Sequence, residues 1–72
     1  MKSILTIQGL QNAACKALIE DVASEIPGIQ YAAVDIEGGT AEVICDEPDA
    51  LERLRKEIDD LKRYHVVSIE RV

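Results

Sequence analysis

The sequence predicts an α+β sandwich, with four antiparallel strands in one sheet and two helices covering one of its faces. Three observations carry that prediction. Short β-branched runs occur in four places, and two other segments space their apolar residues at helical intervals. A Gly38-Gly39 pair joins the second and third strand-like runs as a hairpin would. The resulting order is βαββαβ, and two right-handed split βαβ units close into a ferredoxin-like arrangement.

The first strand covers residues 2–8, where Ile4 alternates with Leu5 and Thr6 with Ile7. A loop from Gly9 leads to a helix over 13–26. Ala14, Leu18, Val22 and Ile26 repeat every four residues there, flanked by Cys15, Ile19 and Ala23, and together form one broad stripe. Asn12 stands where an N-cap belongs, and Pro27-Gly28 ends the helix. The second strand runs from Ile29 to Glu37, with Ile29, Val34 and Ile36 as buried candidates, and the third is Thr40–Cys45. Asp46-Glu47-Pro48-Asp49 reads as a turn into a second helix carrying Leu51, Leu54, Ile58 and Leu61. His65 to Arg71 forms the last strand. The second face of the sheet is expected to meet water through Lys2, Gln8, Gln30, Glu42 and Glu70, among others. No linker or low-complexity tract interrupts residues 1–72, which read as a single domain.

Composition excludes several function classes. Fourteen acids against eight bases give a formal charge of −6, which opposes phosphate binding, so nucleic acid is not an expected partner. No run approaches the roughly 20 apolar residues of a membrane span. The first residues feed a strand rather than a signal peptide, so the expected location is cytoplasmic. With one histidine, no Ser/His/Asp set and no glycine-rich phosphate loop, the chain is not expected to be an enzyme.

The specific signal lies in Gly9-Leu10-Gln11-Asn12-Ala13-Ala14-Cys15, between a strand and a helix. This loop resembles that of the heavy-metal-associated domains, the family of copper chaperones, mercury-binding proteins and N-terminal modules of metal-pumping ATPases. The family pattern is Gly-Met-Thr-Cys-x-x-Cys. Leu10 and Gln11 stand for Met and Thr, Asn12 replaces the first cysteine, and Cys15 keeps the second, leaving a degenerate Cys-x-x-Cys. The resemblance covers essentially the whole chain. It implies a metallochaperone-like module that binds Cu(I) or another soft metal ion, with a homodimer or a metal-transporting ATPase as partner.

Cys15 sits in the first turn of its helix, where the dipole and free N–H groups favour a thiolate, a good ligand for a soft cation. The alternative is a small apolar residue on the buried stripe. Asn12, a poor soft-metal ligand, is also explained by capping alone. Tyr64 and His65 follow the second helix and are expected at the same end as Cys15. Tyr64 matches the aromatic that packs beside the metal in the family, and His65 is a candidate nitrogen ligand or a solvated strand residue. Lys62 and Arg63 are expected in the last turn of the second helix, complementing its dipole. Cys45 ends a strand of roughly 17–20 Å that points away from the loop, whereas a disulfide needs Cα atoms within about 7 Å. Cys15 and Cys45 are therefore not expected to pair. Three functions stay open: soft-metal binding or trafficking at a single-cysteine site, a degenerate module kept for protein contacts, and a small-ligand-sensing dimer. The metal reading accommodates no bound metal at all if the one thiol proves inert.

Overall fold

The computed structural model describes residues 1–72. Its elements in chain order are β1 (Lys2–Gln8), α1 (Ala13–Ser24), β2 (Ile29–Asp35), β3 (Thr40–Cys45), α2 (Pro48–Asp60) and β4 (His65–Arg71). All strand pairs are antiparallel, and the sheet order is β2-β3-β1-β4. The predicted ferredoxin-like βαββαβ sandwich is the fold.

The core is aliphatic. Leu5, Ile7, Ala41 and Val43 from the central strands meet Ile19 and Ala23 of α1 and Leu51, Leu54 and Ile58 of α2. On β1 the buried face is Ser3, Leu5 and Ile7. Ser3 is fully buried, and its hydroxyl has no hydrogen-bond partner. An orphaned buried hydroxyl costs more than it returns. Ser3→Ala is therefore expected to stabilise the fold by about 1 kcal/mol, raising the melting temperature by roughly 4–8 °C. A melting temperature at or below that of the wild type would show that the hydroxyl has a partner after all.

Boundaries differ from the expected ones for local reasons. Helix α1 stops at Ser24, because Glu25 and Ile26 already bond three residues back and Pro27 disfavours a helical residue before it. Ile26 stays buried from the turn that follows. Strand β2 ends at Asp35, and Ile36–Gly39 form the hairpin loop, with the Gly39 N–H donating to the Ile36 carbonyl. Helix α2 starts at Pro48 itself, a residue preset for the first helical position.

The two edge strands are guarded by side chains. On β2, the Val34 N–H donates to Glu20 Oε2 at 3.0 Å, and Lys16 Nζ donates to the Val34 carbonyl at 3.3 Å. One peptide of the outer edge is thereby closed to a further strand. On β4, the Val66 N–H donates to Asp59 Oδ1 at 3.3 Å.

Strand β4 also carries a bulge that decides what faces the core. Leu5 pairs with Ile69 and Thr6 with Ser68, but Ile7 pairs with Val66, so Val67 is the extra residue. Strict alternation inward from Ile69 would turn Val67 and His65 toward the helices. The inserted residue reverses that parity, so Val66 and Tyr64 are buried while His65 is exposed.

Candidate functional site

Two residues, Gly9 and Lys62, bring the loop after β1 and the loop before β4 together. Gly9 adopts φ +100°, which L-residues rarely enter. A Cβ there would meet the Arg63 carbonyl oxygen well inside contact distance and Tyr64 Cδ1 at 3.2 Å. The missing side chain is thus the space in which the second loop packs. On that second loop, Lys62 takes φ +65°, ending the helical path of α2 and turning Arg63 and Tyr64 back toward Gly9. Lys62 and Arg63 therefore do not complement the end of α2 as expected. The helix closes at Asp60 with Leu61 as C-cap and no basic residue in its last turn.

Asn12 caps α1. Its backbone is extended, and its Oδ1 accepts from the N–H groups of Ala14 at 3.0 Å and Cys15 at 3.3 Å. The side chain is therefore committed to the helix start. Cys15, in the first turn, is half-buried and free. Together these loops border a cleft of about 570 Å³ lined by Gly9, Gln11, Asn12, Ala14, Cys15, Leu18, Arg63 and Tyr64. In a chain with fourteen acids, this lining contains no carboxylate, one guanidinium and the positive end of a helix.

The electrostatics follow from that lining. The Cys15 thiol titrates below its ordinary range, chiefly because the Tyr64 hydroxyl stabilises the thiolate. The backbone at Gln11 and Asn12 and the charge of Arg63 act in the same direction, and partial burial opposes them. Tyr64 shifts upward, first through its bond to Cys15 and then through burial. Tyr64→Phe is accordingly expected to raise the Cys15 titration toward the ordinary thiol range, read as the pH dependence of alkylation. The linkage has a definite sign. A thiol lowered by folding contributes stability above its unfolded value, and that contribution is lost as pH falls through the folded value. The Phe variant should lose that dependence, and an unchanged alkylation profile would contradict the role given to Tyr64.

The structure thus brings Cys15, Asn12 and Tyr64 together and leaves His65 apart. His65 opens β4 opposite Gln8, its side chain is exposed, and its Nδ1 lies 3.6 Å from Asp59 Oδ1. It is not part of the cleft lining, and no three His, Cys, Asp or Glu side chains are grouped so that they could hold a metal ion. Cys45 is fully buried, with its N–H bonded to the Met1 carbonyl, and both cysteines are free. Arg63 is the contributor that sequence reasoning missed. Its signal was a cation next to the candidate aromatic, hidden by its apparent place on a helix. No helix is long and apolar enough to cross a membrane.

Comparison with known proteins gives a consistent picture. The family model described as heavy-metal-associated domain matches residues 4–65. A solved structure described as CopZ metallochaperone is 28% identical, with a TM-score of 0.82 over 93% of this chain and all of that one. The N-terminal soluble domains of Bacillus subtilis CopA are 31% identical, with a TM-score of 0.81 over 93% of this chain and 46% of that one. Oxidized MerP from Ralstonia metallidurans CH34, 24% identical with a TM-score of 0.76 over 94% of this chain and 97% of that one, shares the fold. No curated protein sequence matches the chain.

Proposed function

The chain belongs to the heavy-metal-associated domain family, and from that premise we propose that residues 1–72 act as one module that binds Cu(I) or a similar soft cation through Cys15 and passes it on by ligand exchange. The observation that carries this reading is the cleft itself. It presents one half-buried thiol whose anion is favoured by Tyr64 and the loop backbone, and no carboxylate that would attract a hard cation.

A single thiolate leaves a monovalent soft ion short of the second ligand that a linear site needs. With His65 turned to Asp59, that ligand comes from outside the chain: Cys15 of a second copy, a small thiol, or a cysteine of a protein partner. A metal-transporting ATPase is the partner class the family suggests, and a reducing cytoplasm is the compartment in which Cys15 stays free. A Cu(I) ion held by two thiolates carries a net charge of −1, which the Arg63 guanidinium and the α1 N-terminus suit better than a cation alone would. The cleft's chemistry is retention and handover of cargo, with no base or nucleophile pair for catalysis.

The test is a Cu(I) titration of reduced protein against a competing chromophoric chelator, with Cys15→Ser and His65→Ala alongside. One copper per two chains is expected without added thiol, lost in Cys15→Ser and kept in His65→Ala. Full retention in Cys15→Ser would refute the single-cysteine site. Failure to compete with even a weak chelator would leave a fold kept for protein contacts.

A further inference from the structure

The two halves of the outer edge of β2 are unlike. On α1, Lys16, Glu20 and Ser24 stand four residues apart and line the flank of the helix beside that strand. The first two close the edge at Val34. Glu20 Oε2 accepts from the Val34 N–H at 3.0 Å, Lys16 Nζ donates to the Val34 carbonyl at 3.3 Å, and the two side chains pair at 2.8 Å. Lys16 first, and the Val34 N–H second, hold the Glu20 carboxyl below its ordinary range, which keeps this clamp charged.

Ser24 does not reach the strand, because its hydroxyl donates to the Asp21 carbonyl at 2.7 Å. The gap is a groove of about 140 Å³ lined by Glu20, Ser24, Ile29, Gln30, Tyr31 and Ala32, and it shares no residue with the Cys15 cleft. An antiparallel ladder turns its backbone groups outward at every second residue. Ala32 therefore points its N–H and C=O the same way as Val34, yet no loop or side chain bonds to either group. A free edge peptide beside a groove the size of one aliphatic side chain is what strand addition uses. The backbone supplies the hydrogen bonds, and the groove selects the side chain. Tyr31, 50% exposed on the other face of the sheet, offers an aromatic surface to the next strand.

The charges around the groove select the partner. Asp46 accepts from Gln30 Nε2, and Asp21 stands on the turn of α1 that holds Ser24. Neither carboxylate enters an ion pair. Helix α1 also ends here, with the negative pole of its dipole and no basic residue in its last turn. A second copy of a chain with net charge −6 matches this surface poorly, whereas a segment carrying Lys or Arg beside a small aliphatic residue matches it well.

We infer that the outer edge of β2, centred on Ala32, docks an extended cationic segment of a partner protein, which joins the sheet as a fifth strand. The Glu20–Lys16 clamp ends the pairing at Val34 and so fixes the register of the added strand. This surface is separate from the Cys15 cleft and does not depend on metal binding.

Hydrogen exchange in the free protein is the first check: the Ala32 amide should exchange faster than the Val34 amide. Amide shifts of isotope-labelled protein are then followed during titration with the end-blocked peptide Lys-Thr-Val-Thr-Lys and its counterpart Glu-Thr-Val-Thr-Glu. The lysine peptide should shift residues 29–33 and protect the Ala32 amide, with a Kd on the order of 1 mM or below. The glutamate peptide should bind at least about tenfold more weakly. Ala32→Pro removes a donor at an outward edge position that tolerates proline, and should weaken binding about threefold to tenfold. Ser24→Arg, on the exposed surface of α1 where the fold is not at risk, should fill the groove and weaken binding by at least as much. Equal protection of Ala32 and Val34 in the free protein, no shift at Ala32 with millimolar lysine peptide, equal binding of the two peptides, or undiminished binding in Ser24→Arg would overturn the inference. Self-association that protects Ala32 without any peptide would overturn it too, by making a second copy the occupant.

Discussion

Gly9→Ala is expected to destabilise the fold by about 2–4 kcal/mol and to disorganise the cleft in the same step. Two effects add. At φ +100° an alanine is strained, and its Cβ would lie against the Arg63 carbonyl, a backbone atom that cannot rotate away. Relief requires the loop before β4 to retreat, and Tyr64 retreats with it. At roughly 4–8 °C per kcal/mol for a domain of this size, the melting temperature should fall by on the order of 10–25 °C. Cys15 alkylation in the surviving folded fraction should shift toward ordinary thiol behaviour, because its main stabilising neighbour has moved. Gly38→Ala makes the fitting control. There the nearest obstacle is the Asp35 carboxylate, at 2.8 Å, on a side chain that can turn aside. A Gly9→Ala protein as stable as Gly38→Ala would mean that close approach of the two loops is not what Gly9 provides.

How far the sequence reached depended on whether a feature was periodic. The six elements and their order rest on apolar spacing, a two-glycine turn and a capping residue, all of them local signals that packing reinforces. Helix α2 kept the expected apolar line, with Leu51, Leu54 and Ile58 buried. The cleft was legible as far as Asn12, Cys15 and Tyr64 share one end of the sandwich. The separation of Tyr64 from His65 was not legible. The two are adjacent in sequence, and only the extra residue at Val67 decides which one faces inward. No composition rule places a bulge between Val66 and Ser68, so the candidate nitrogen ligand and the candidate aromatic were both expected at the Cys15 end of the sandwich. Arg63 was hidden for a related reason. Its entry into the cleft depends on Lys62 adopting a left-handed backbone, a conformation that lysine does not advertise.

Asn12→Cys should raise Cu(I) affinity by about 10²–10⁴-fold and change the stoichiometry from the proposed one ion per two chains to one per chain. The basis is the difference between a second thiolate borrowed from solution and one tethered three residues away on the same helix start, which acts at an effective concentration in the millimolar range. Both sulfurs would then share the N-terminus of α1 and the neighbourhood of Arg63 and Tyr64. The substitution also removes the oxygen that accepts from the Ala14 and Cys15 N–H groups, so the apo protein should lose about 1 kcal/mol of stability. Asn12→Ser separates the two effects: it keeps a capping oxygen without adding a thiol, and should match the wild type in both copper affinity and melting temperature. Under reducing conditions, an Asn12→Cys protein with unchanged affinity would show that the missing thiol is not what limits the site, and would place the Cys15 sulfur out of reach of position 12. A large gain would carry the opposite meaning for the natural chain. With asparagine at position 12, the ion stays only while an outside ligand stays with it, and every departure of that ligand opens the site to handover. Weak retention is then the consequence of one residue, and a chain so built is suited to exchange rather than storage.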